Sequence, residues 1–364
     1  MSTPAVHTPA VSTESAATMR AVVLNAPGDM TVENVPVPKI GAGDLLVKVA
    51  ACGVCGSDIP RMNFAGAHRH PIICGHEFSG HVVELAEDVT GFALGDLVSV
   101  PPLLPCRKCD SCLEGHFSLC EDYDYFGSRR DGAYAQFVVV PADNALLMPV
   151  GLDPRAAAMI DPSAIALHAL LRTRIGKGSR VAVIGAGPIG LFAVQWAKLL
   201  GAVEILAVDL NEDKARMARE AGATQTASGG EEALANAGTG YDVVIESAGV
   251  PPTIALAVNL VARRGDAAFI GIPHNPVEFD KATFSNFLRR EVSLHGSWNS
   301  FSAPFPGREW HDSAAKLASG ELKWEFMITH ELGLDALPET MKQLGERSIF
   351  SSKVLFLPNE ETTD

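Results

Sequence analysis

The chain has 364 residues, 47% of them hydrophobic, which is enough apolar material for more than one buried core, so two domains are expected. A formal net charge of -14 and a pI near 5.2 argue against nucleic acid or an anionic membrane surface as a partner, and an anionic ligand would need a local cation. Seven cysteines, six of them between Cys52 and Cys112, are spaced for metal ligation rather than for a secreted disulfide framework, which suits a reducing cytosol.

The first residues, MSTPAVHTPAVSTESAAT, are rich in Ser, Thr, Ala and Pro, with no basic stretch followed by an apolar one. A disordered tail over 1–18 is expected, not a signal peptide. No apolar run approaches the roughly 20 residues that a bilayer demands, so a soluble protein is expected. From Met19, short β-type runs (RAVVLNA, MTVENV, DLLVKVAACG) broken by Pro, Gly and Asp predict a β-rich region. It continues through GHEFSGHVVELAEDVTGFALGDLVSV and resumes at DGAYAQFVVVPADNALLMP, with no long helix before about residue 150. Between these runs stands CRKCDSCLEGHFSLC. Its Cys106, Cys109, Cys112 and Cys120 follow C-x2-C-x2-C-x7-C, a spacing that lets four thiolates close on one tetrahedral metal with no position left open. Such a closed site is structural.

At residue 153 the texture changes. Asp153-Pro154 and Asp161-Pro162 each give a helix-start signal, and a helical linker running to Leu171 is predicted. A buried strand, Val181 to Ile184, then enters Gly185-Ala186-Gly187-Pro188-Ile189-Gly190, a helix follows, and a second apolar strand ends at Asp209. The glycines permit a tight turn and close approach to a pyrophosphate, and the helix N-terminus favours its charge. Asp209, 19 residues after Gly190, is placed to hydrogen-bond the ribose of NAD and repel a 2′-phosphate. Lys214, in the first turn of the next helix, reads as a solvated charge rather than a 2′-phosphate binder. The α/β alternation continues through YDVVIESAG, the helical PPTIALAVNLVARR, GDAAFIGI and the strand EVSLHGSW, and the chain closes on helices and the strand SSKVLFLP. A dinucleotide domain placed between two parts of another domain is the simplest account.

Upstream, CGVCGSD and, 21 residues beyond Cys55, GHE offer Cys55, His76 and Glu77 as a three-ligand set with a position free for water or substrate, the open geometry that catalysis needs. The alternative, a turn at His76-Glu77 and a small buried thiol at Cys55, loses ground beside a structural metal lobe and a dinucleotide fingerprint. CGSD, GHEFSG, the four-cysteine lobe and GAGPIG, in that order between Met19 and Pro358, resemble the zinc-containing medium-chain alcohol/polyol dehydrogenases.

That resemblance implies an α/β plus β fold. A GroES-like β-rich catalytic domain would span 19–163 and 297–364 and carry the zinc lobe at about 101–123; a Rossmann-type doubly wound parallel-sheet domain that binds NAD would be inserted at 164–296. Two Zn2+ per chain are implied, one structural and one catalytic beside Cys55, His76 and Glu77, in a cytoplasmic homodimer or homotetramer. Where relatives carry a Glu-Pro pair near the metal, this chain has Asp161-Pro162, one methylene shorter. Three readings stand open for Asp161: a direct ligand, a ligand through water, or a helix cap alone. Ser57 matches the hydroxyl that takes the substrate proton, while Pro60 stands where many relatives have a relay His, so the proton must leave by another route. The implied reaction is zinc-assisted oxidation of a secondary alcohol with hydride transfer to NAD.

CGSDIPR, GAH, VPPLLPC, FGSRRDG, ATF, GSW and PGREW, several of them outside the family-wide motifs, resemble the branch acting on polyol phosphates of the galactitol 1-phosphate kind. For that branch Arg129 or Arg130 would grip the phosphate in a bidentate fork, unless both are solvated loop residues beside Asp131. His68 and Trp298 are further candidates for the substrate pocket. The same chemistry on an unphosphorylated polyol or diol, as in sorbitol or butanediol dehydrogenases, is the alternative. A non-catalytic nucleotide-binding relative is a third reading, weakened by the intact Cys55, Ser57, His76 and Glu77. Cys52 and Cys74 read as buried spectator thiols, and His168, His295, His311 and His330 have no ligand partner in the sequence.

Overall fold

The structure is a computed structural model that describes residues 17–360. Of the expected tail, residues 1–16 lie outside that range, and the first strand already starts at Thr18. The β-rich part is organised on the strand Asp44–Gly53, whose Leu45, Val47, Val49 and Ala51 are fully buried. It pairs antiparallel with Glu77–Leu85, with Phe137–Pro141, and with the C-terminal strand Lys353–Phe356 inside a seven-stranded sheet. These registers set Gly53 opposite Glu77 on one side and opposite Leu355 on the other. A three-stranded sheet of Asp29–Pro36, Thr18–Ala26 and Ile72–Ile73 packs into the same core, with Phe78, Phe126, Tyr134 and Phe356 at its centre. Each such side chain contributes roughly 1.5–3 kcal/mol on leaving water. Before Pro154 every described helical turn has five residues or fewer, as the sequence predicts.

The predicted linker is two helices, Pro154–Ala158 and Ile160–Leu171, separated at Met159. Asp153 caps the first, its side chain accepting from Arg155 N at 2.8 Å. Asp161 does not cap the second: Met159 takes that place and Asp161 lies inside the first turn, which corrects the cap reading. Pro162 is tolerated there because a first-turn N–H has no intrahelical acceptor to lose.

Six parallel strands between Arg180 and Gly296 form the second sheet, in the order 3-2-1-4-5-6 when numbered along the chain. That is the doubly wound order whose ligands bind where the strand order reverses, at the carboxyl ends of the first and fourth strands. One boundary differs from expectation. The helix Pro251–Leu260 ends before VARR, because β-branched Val261 pairs with Tyr241 and opens the strand Val261–Phe269. The two parts of the molecule meet helix on helix: Trp196, on Pro188–Leu199, donates to Ser163 Oγ on Ile160–Leu171 at 3.0 Å. No described helix is long and apolar enough to cross a membrane.

Candidate active site

In the cysteine lobe the Sγ atoms of Cys106, Cys109, Cys112 and Cys120 all lie within 4.8 Å of one another. Backbone N–H groups of Lys108 and Cys109 favour a thiolate at Cys106 and bring its pKa down to about 6, while burial pushes Cys112 up to about 12. Four converging sulfurs, one of them already stabilised as an anion and another destabilised without a cation, fit a tetrahedral zinc.

The second cluster grows from the sheet register. Because Gly53 stands opposite Glu77, the loop after Gly53 brings Cys55 beside His76, and ligand atoms of Cys55, His76 and Glu77 converge within 4.8 Å. Ser57 Oγ donates to Cys55 Sγ at 3.4 Å. Behind His76 stands Asp58, which the sequence displayed in CGSD without a role. Its Oδ1 lies 3.3 Å from His76 Nδ1, an ion-pair distance without the alignment of a full hydrogen bond. Asp58 is fully buried and accepts from Arg61 Nη1 (2.6 Å), Tyr134 OH (3.1 Å) and Cys55 N (3.1 Å). Burial opposes its charge, but His76 and Arg61 outweigh that and hold its carboxyl well below the usual range. Burial likewise opposes a charged His76, yet Asp58 and Cys55 raise it well above the ordinary imidazole value. A site that favours a cation at His76 suits a metal ion, with Asp58 fixing the ring from the far side.

Lys353 was missed in the sequence, where SSKVLFLP reads as a plain strand. Its side chain is 1% exposed, and Nζ donates to Glu77 Oε2 and to the Val54 carbonyl, the latter at 3.1 Å. Burial alone would lower this lysine; Glu77 and Cys55 reverse that and raise it. Tyr125, also missed, lies edge-on to the His76 ring with centroids 5.6 Å apart. Burial, then the negative charges of Asp161, Cys55 and Glu77, lift its phenol well above the ordinary value. Asp161 is not among the three converging ligands. Its Oδ1 is buried without a partner, and burial together with Glu77 raises its carboxyl to about 7. An orphaned carboxylate oxygen beside the cluster fits a metal or a water held by one.

At the dinucleotide turn Gly185 has φ +92°, a conformation that favours glycine, and a Cβ on Gly190 would meet Gly185 O at 1.8 Å. Gly187 caps the helix Pro188–Leu199 and has open space where a Cβ would point, so its backbone is free to approach a ligand. Asp209 Oδ2 accepts from Ala186 N at 2.8 Å and Oδ1 from Asn211 N at 3.0 Å. A cavity of about 660 Å³ opens beside Gly185, Asp209, Thr253 and Leu256. A second, of about 280 Å³, joins Gly187, Pro188, Ile189 and Gly190 to Cys55, Glu77, Lys353 and Lys214. Lys214 therefore faces this cleft and is half-buried, which corrects its reading as a solvated charge.

The loop FGSRRDG sends its two arginines apart. Arg129 lies over the Tyr123 ring at 4.5 Å, and Tyr123 is edge-on to Tyr125 at 6.2 Å. Arg130 sits 3.6 Å from Asp124 and lines a different cavity with Met19, Val35 and Ile73. His68 is exposed, its Nδ1 3.3 Å from Ser128 O on the FGSRRDG loop, and Trp298 is 48% exposed and lines none of the described cavities. His168 pairs with Glu309 (2.8 Å) and His295 with Asp266 (2.9 Å), His330 bonds Thr329 (3.0 Å), and His311 is exposed. Cys52 and Cys74 are fully buried, and burial pushes the Cys74 thiol to about 12.

Fold and site together define a zinc-dependent medium-chain dehydrogenase, an oxidoreductase acting on CH–OH, and the chain belongs to that family. Residues 41–150 match the alcohol dehydrogenase GroES-like domain and residues 188–317 the zinc-binding dehydrogenase family. Galactitol 1-phosphate 5-dehydrogenase of Escherichia coli (strain K12) is 35% identical over 347 residues, 93% of this chain and 100% of its own length. The crystal structure of galactitol-1-phosphate dehydrogenase from Escherichia coli superposes with a TM-score of 0.89 at 34% identity, covering 93% of this chain and 100% of that one. Sorbitol dehydrogenase of Bacillus subtilis (strain 168) is 31% identical over 353 residues, 94% of this chain and 98% of its own. A zinc-binding dehydrogenase from Sinorhizobium meliloti 1021, solved bound to NADP, superposes with a TM-score of 0.87 at 35% identity over 94% of this chain and 100% of that one.

Proposed function

We propose that the protein oxidises a secondary alcohol of a polyol phosphate, of the galactitol 1-phosphate kind, to the ketose phosphate with NAD as hydride acceptor. The observation that carries this reading is the single cleft in which Cys55 and Glu77 face Gly187 to Gly190, so that metal and dinucleotide chemistry would share one space. On this reading Cys55, His76 and Glu77 hold a catalytic zinc, Asp161 joins them directly or through water, and Cys106, Cys109, Cys112 and Cys120 hold a structural one. Zinc supplies a Lewis acid that makes the alcohol proton easier to remove, and the nicotinamide supplies the hydride acceptor.

The chain's own residues do the rest. Ser57 Oγ accepts the substrate proton and, with Pro60 in place of a relay imidazole, passes it to water. Asp58 keeps the His76 ring in place, and Lys353 holds the Glu77 carboxylate. Asp209, anchored by two backbone N–H groups, meets the ribose and repels a 2′-phosphate; neither Leu210 nor Asn211 offers a cation to a phosphate. Arg129 takes the substrate phosphate, and His68 and Trp298 are further candidates for the substrate pocket. We place the domain boundaries at 19–163 with 297–364, and at 164–296, in a cytosolic homodimer or homotetramer.

The likeness to galactitol 1-phosphate 5-dehydrogenase supports the phosphorylated substrate. The placement of Arg130 away from the cluster, which leaves Arg129 as the cation of that loop on the site's side, favours the unphosphorylated polyol as second reading. Steady-state kinetics on paired polyols and polyol phosphates with NAD and with NADP separate them. The expected result is a preference of at least about tenfold for the phosphorylated partner, about 1.4 kcal/mol, with NAD favoured. Equal efficiency with and without phosphate refutes the preferred substrate.

A further inference from the structure

We infer that the Tyr125 hydroxyl is a specificity-determining group that hydrogen-bonds the substrate hydroxyl next to the reacting carbon, so that the site selects polyols and vicinal diols over simple secondary alcohols. The inference rests on the proposed dehydrogenase function.

Tyr125 belongs to the two-residue strand Asp124–Tyr125, which leaves the cysteine lobe and pairs with Leu103–Leu104. That strand sets the ring edge-on to His76, with centroids 5.6 Å apart. The ring packs on His76, whose ligand atoms converge with those of Cys55 and Glu77, so Tyr125 stands beside the cluster. Among the described residues that hydroxyl makes no hydrogen bond, and the residue is partly exposed. Tyr134, on the other flank of Asp58, shows the contrast: it is fully buried and its hydroxyl donates to Asp58 and to Gly53 O. Packing against His76 needs only the ring, which phenylalanine would supply; the hydroxyl adds a donor and an acceptor to this wall.

A secondary alcohol whose oxygen sits among Cys55, His76 and Glu77 presents its neighbouring carbon to whichever groups ring the cluster. Tyr125 is such a group, able both to donate and to accept. The rest of a longer chain would then pass Tyr123, over which Arg129 stands, so the polar order along this wall is hydroxyl first and guanidinium further out. Simple alcohols such as 2-butanol leave the phenol unpaired in the complex, whereas 2,3-butanediol satisfies it. Sites built around such a bond discriminate strongly against the partner that lacks it.

The test is Tyr125→Phe, which keeps the ring and removes one oxygen. With zinc-loaded protein and NAD, kcat/KM is measured for 2,3-butanediol and 2-butanol, and binding of 2,3-butanediol to the NADH complex is measured by cofactor fluorescence. The wild-type preference for the diol should fall about 10- to 100-fold in Y125F, with 2-butanol unchanged and with weaker diol binding. An unchanged diol preference overturns the inference. So does a parallel loss on both alcohols with a lower melting temperature, which marks a packing role. If the wild type oxidises neither alcohol, the fluorescence titration decides: weaker diol binding in Y125F supports the inference, and equal binding in the two proteins overturns it.

Discussion

Lys353 passes over Gly53 to set its ammonium on the Glu77 carboxylate, and both side chains are almost wholly buried. The path exists because residue 53 has no side chain: a Cβ there would lie 2.6 Å from Lys353 Cε and 2.7 Å from Glu77 Oε2. The last strand of the chain thus holds a carboxylate that the first domain offers to a metal. On the proposed function Glu77 would have two partners to choose between, the ammonium and a zinc ion.

Replacing Lys353 with Met leaves Glu77 as an uncompensated buried charge. The expected loss is about 3–5 kcal/mol in the metal-free protein, read as a lower urea midpoint. With zinc added, part of that loss should return, because the freed carboxylate gains the metal as its partner. Glu77→Gln combined with Lys353→Met should lose less than the two single changes added together. Strict additivity would show that the pair is not coupled.

The dinucleotide domain was legible because its signals are local: alternating periods, three glycines and an acid within thirty residues bear on one turn. The convergence of the cysteine lobe was legible for the same reason, four thiols in fifteen residues. Lys353 was not, because its partner lies 276 residues away and only the sheet register joins them. Asp58 stood in plain view in CGSD, yet a residue that acts through another side chain has no sequence signature of its own. Lys214 looked solvated because the cleft it faces exists only where two domains meet. The Asp161-Pro162 signal misled as a cap because Met159 ends one helix and starts the next, leaving Asp161 inside the first turn.

Asp161 makes the metal-free protein sensitive to pH. Its folded pKa of about 7 stands above the unfolded value near 3.8, so the ionised form is disfavoured by folding. The penalty is absent below pH 4, grows as pH rises through 4 to 7, and is complete above about 7. Asp161→Asn removes it. In zinc-free protein the variant should be about 1–4 kcal/mol more stable than wild type at pH 8, with most of that advantage gone at pH 4.5. Thermal melts of the two proteins across that range read the difference, and a constant offset at all pH values would contradict it.

Asp209 holds the dinucleotide turn by accepting from Ala186 N and Asn211 N, so its charge is fixed where the ribose would sit. Asp209→Asn keeps the Asn211 contact in part and removes the charge. The ratio of kcat/KM for NAD over NADP should fall about 10- to 100-fold, mostly through KM for NADP. A wild-type enzyme that already prefers NADP would contradict the argument at its base.

The two metal clusters should fail differently. Cys112 is buried in the lobe and its thiol is pushed to about 12, so Cys112→Ser removes a ligand whose anionic form depends on the metal. The lobe joins the rest of the protein through the strand Asp124–Tyr125 and through Ser118, which accepts from Phe301 N at 2.8 Å. Losing its metal should therefore loosen the protein by about 2–5 kcal/mol, read as a lower melting temperature and faster proteolysis between Pro101 and Tyr123, before it affects turnover. Cys55→Ser acts at the open set, which Asp58, Tyr134 and Lys353 hold in place without a metal. There turnover should fall by about 10³ or more while melting temperature and lobe zinc, measured by elemental analysis, stay near wild type. A Cys55→Ser protein that loses both zincs together, or a Cys112→Ser protein as stable as wild type, would break this division of roles.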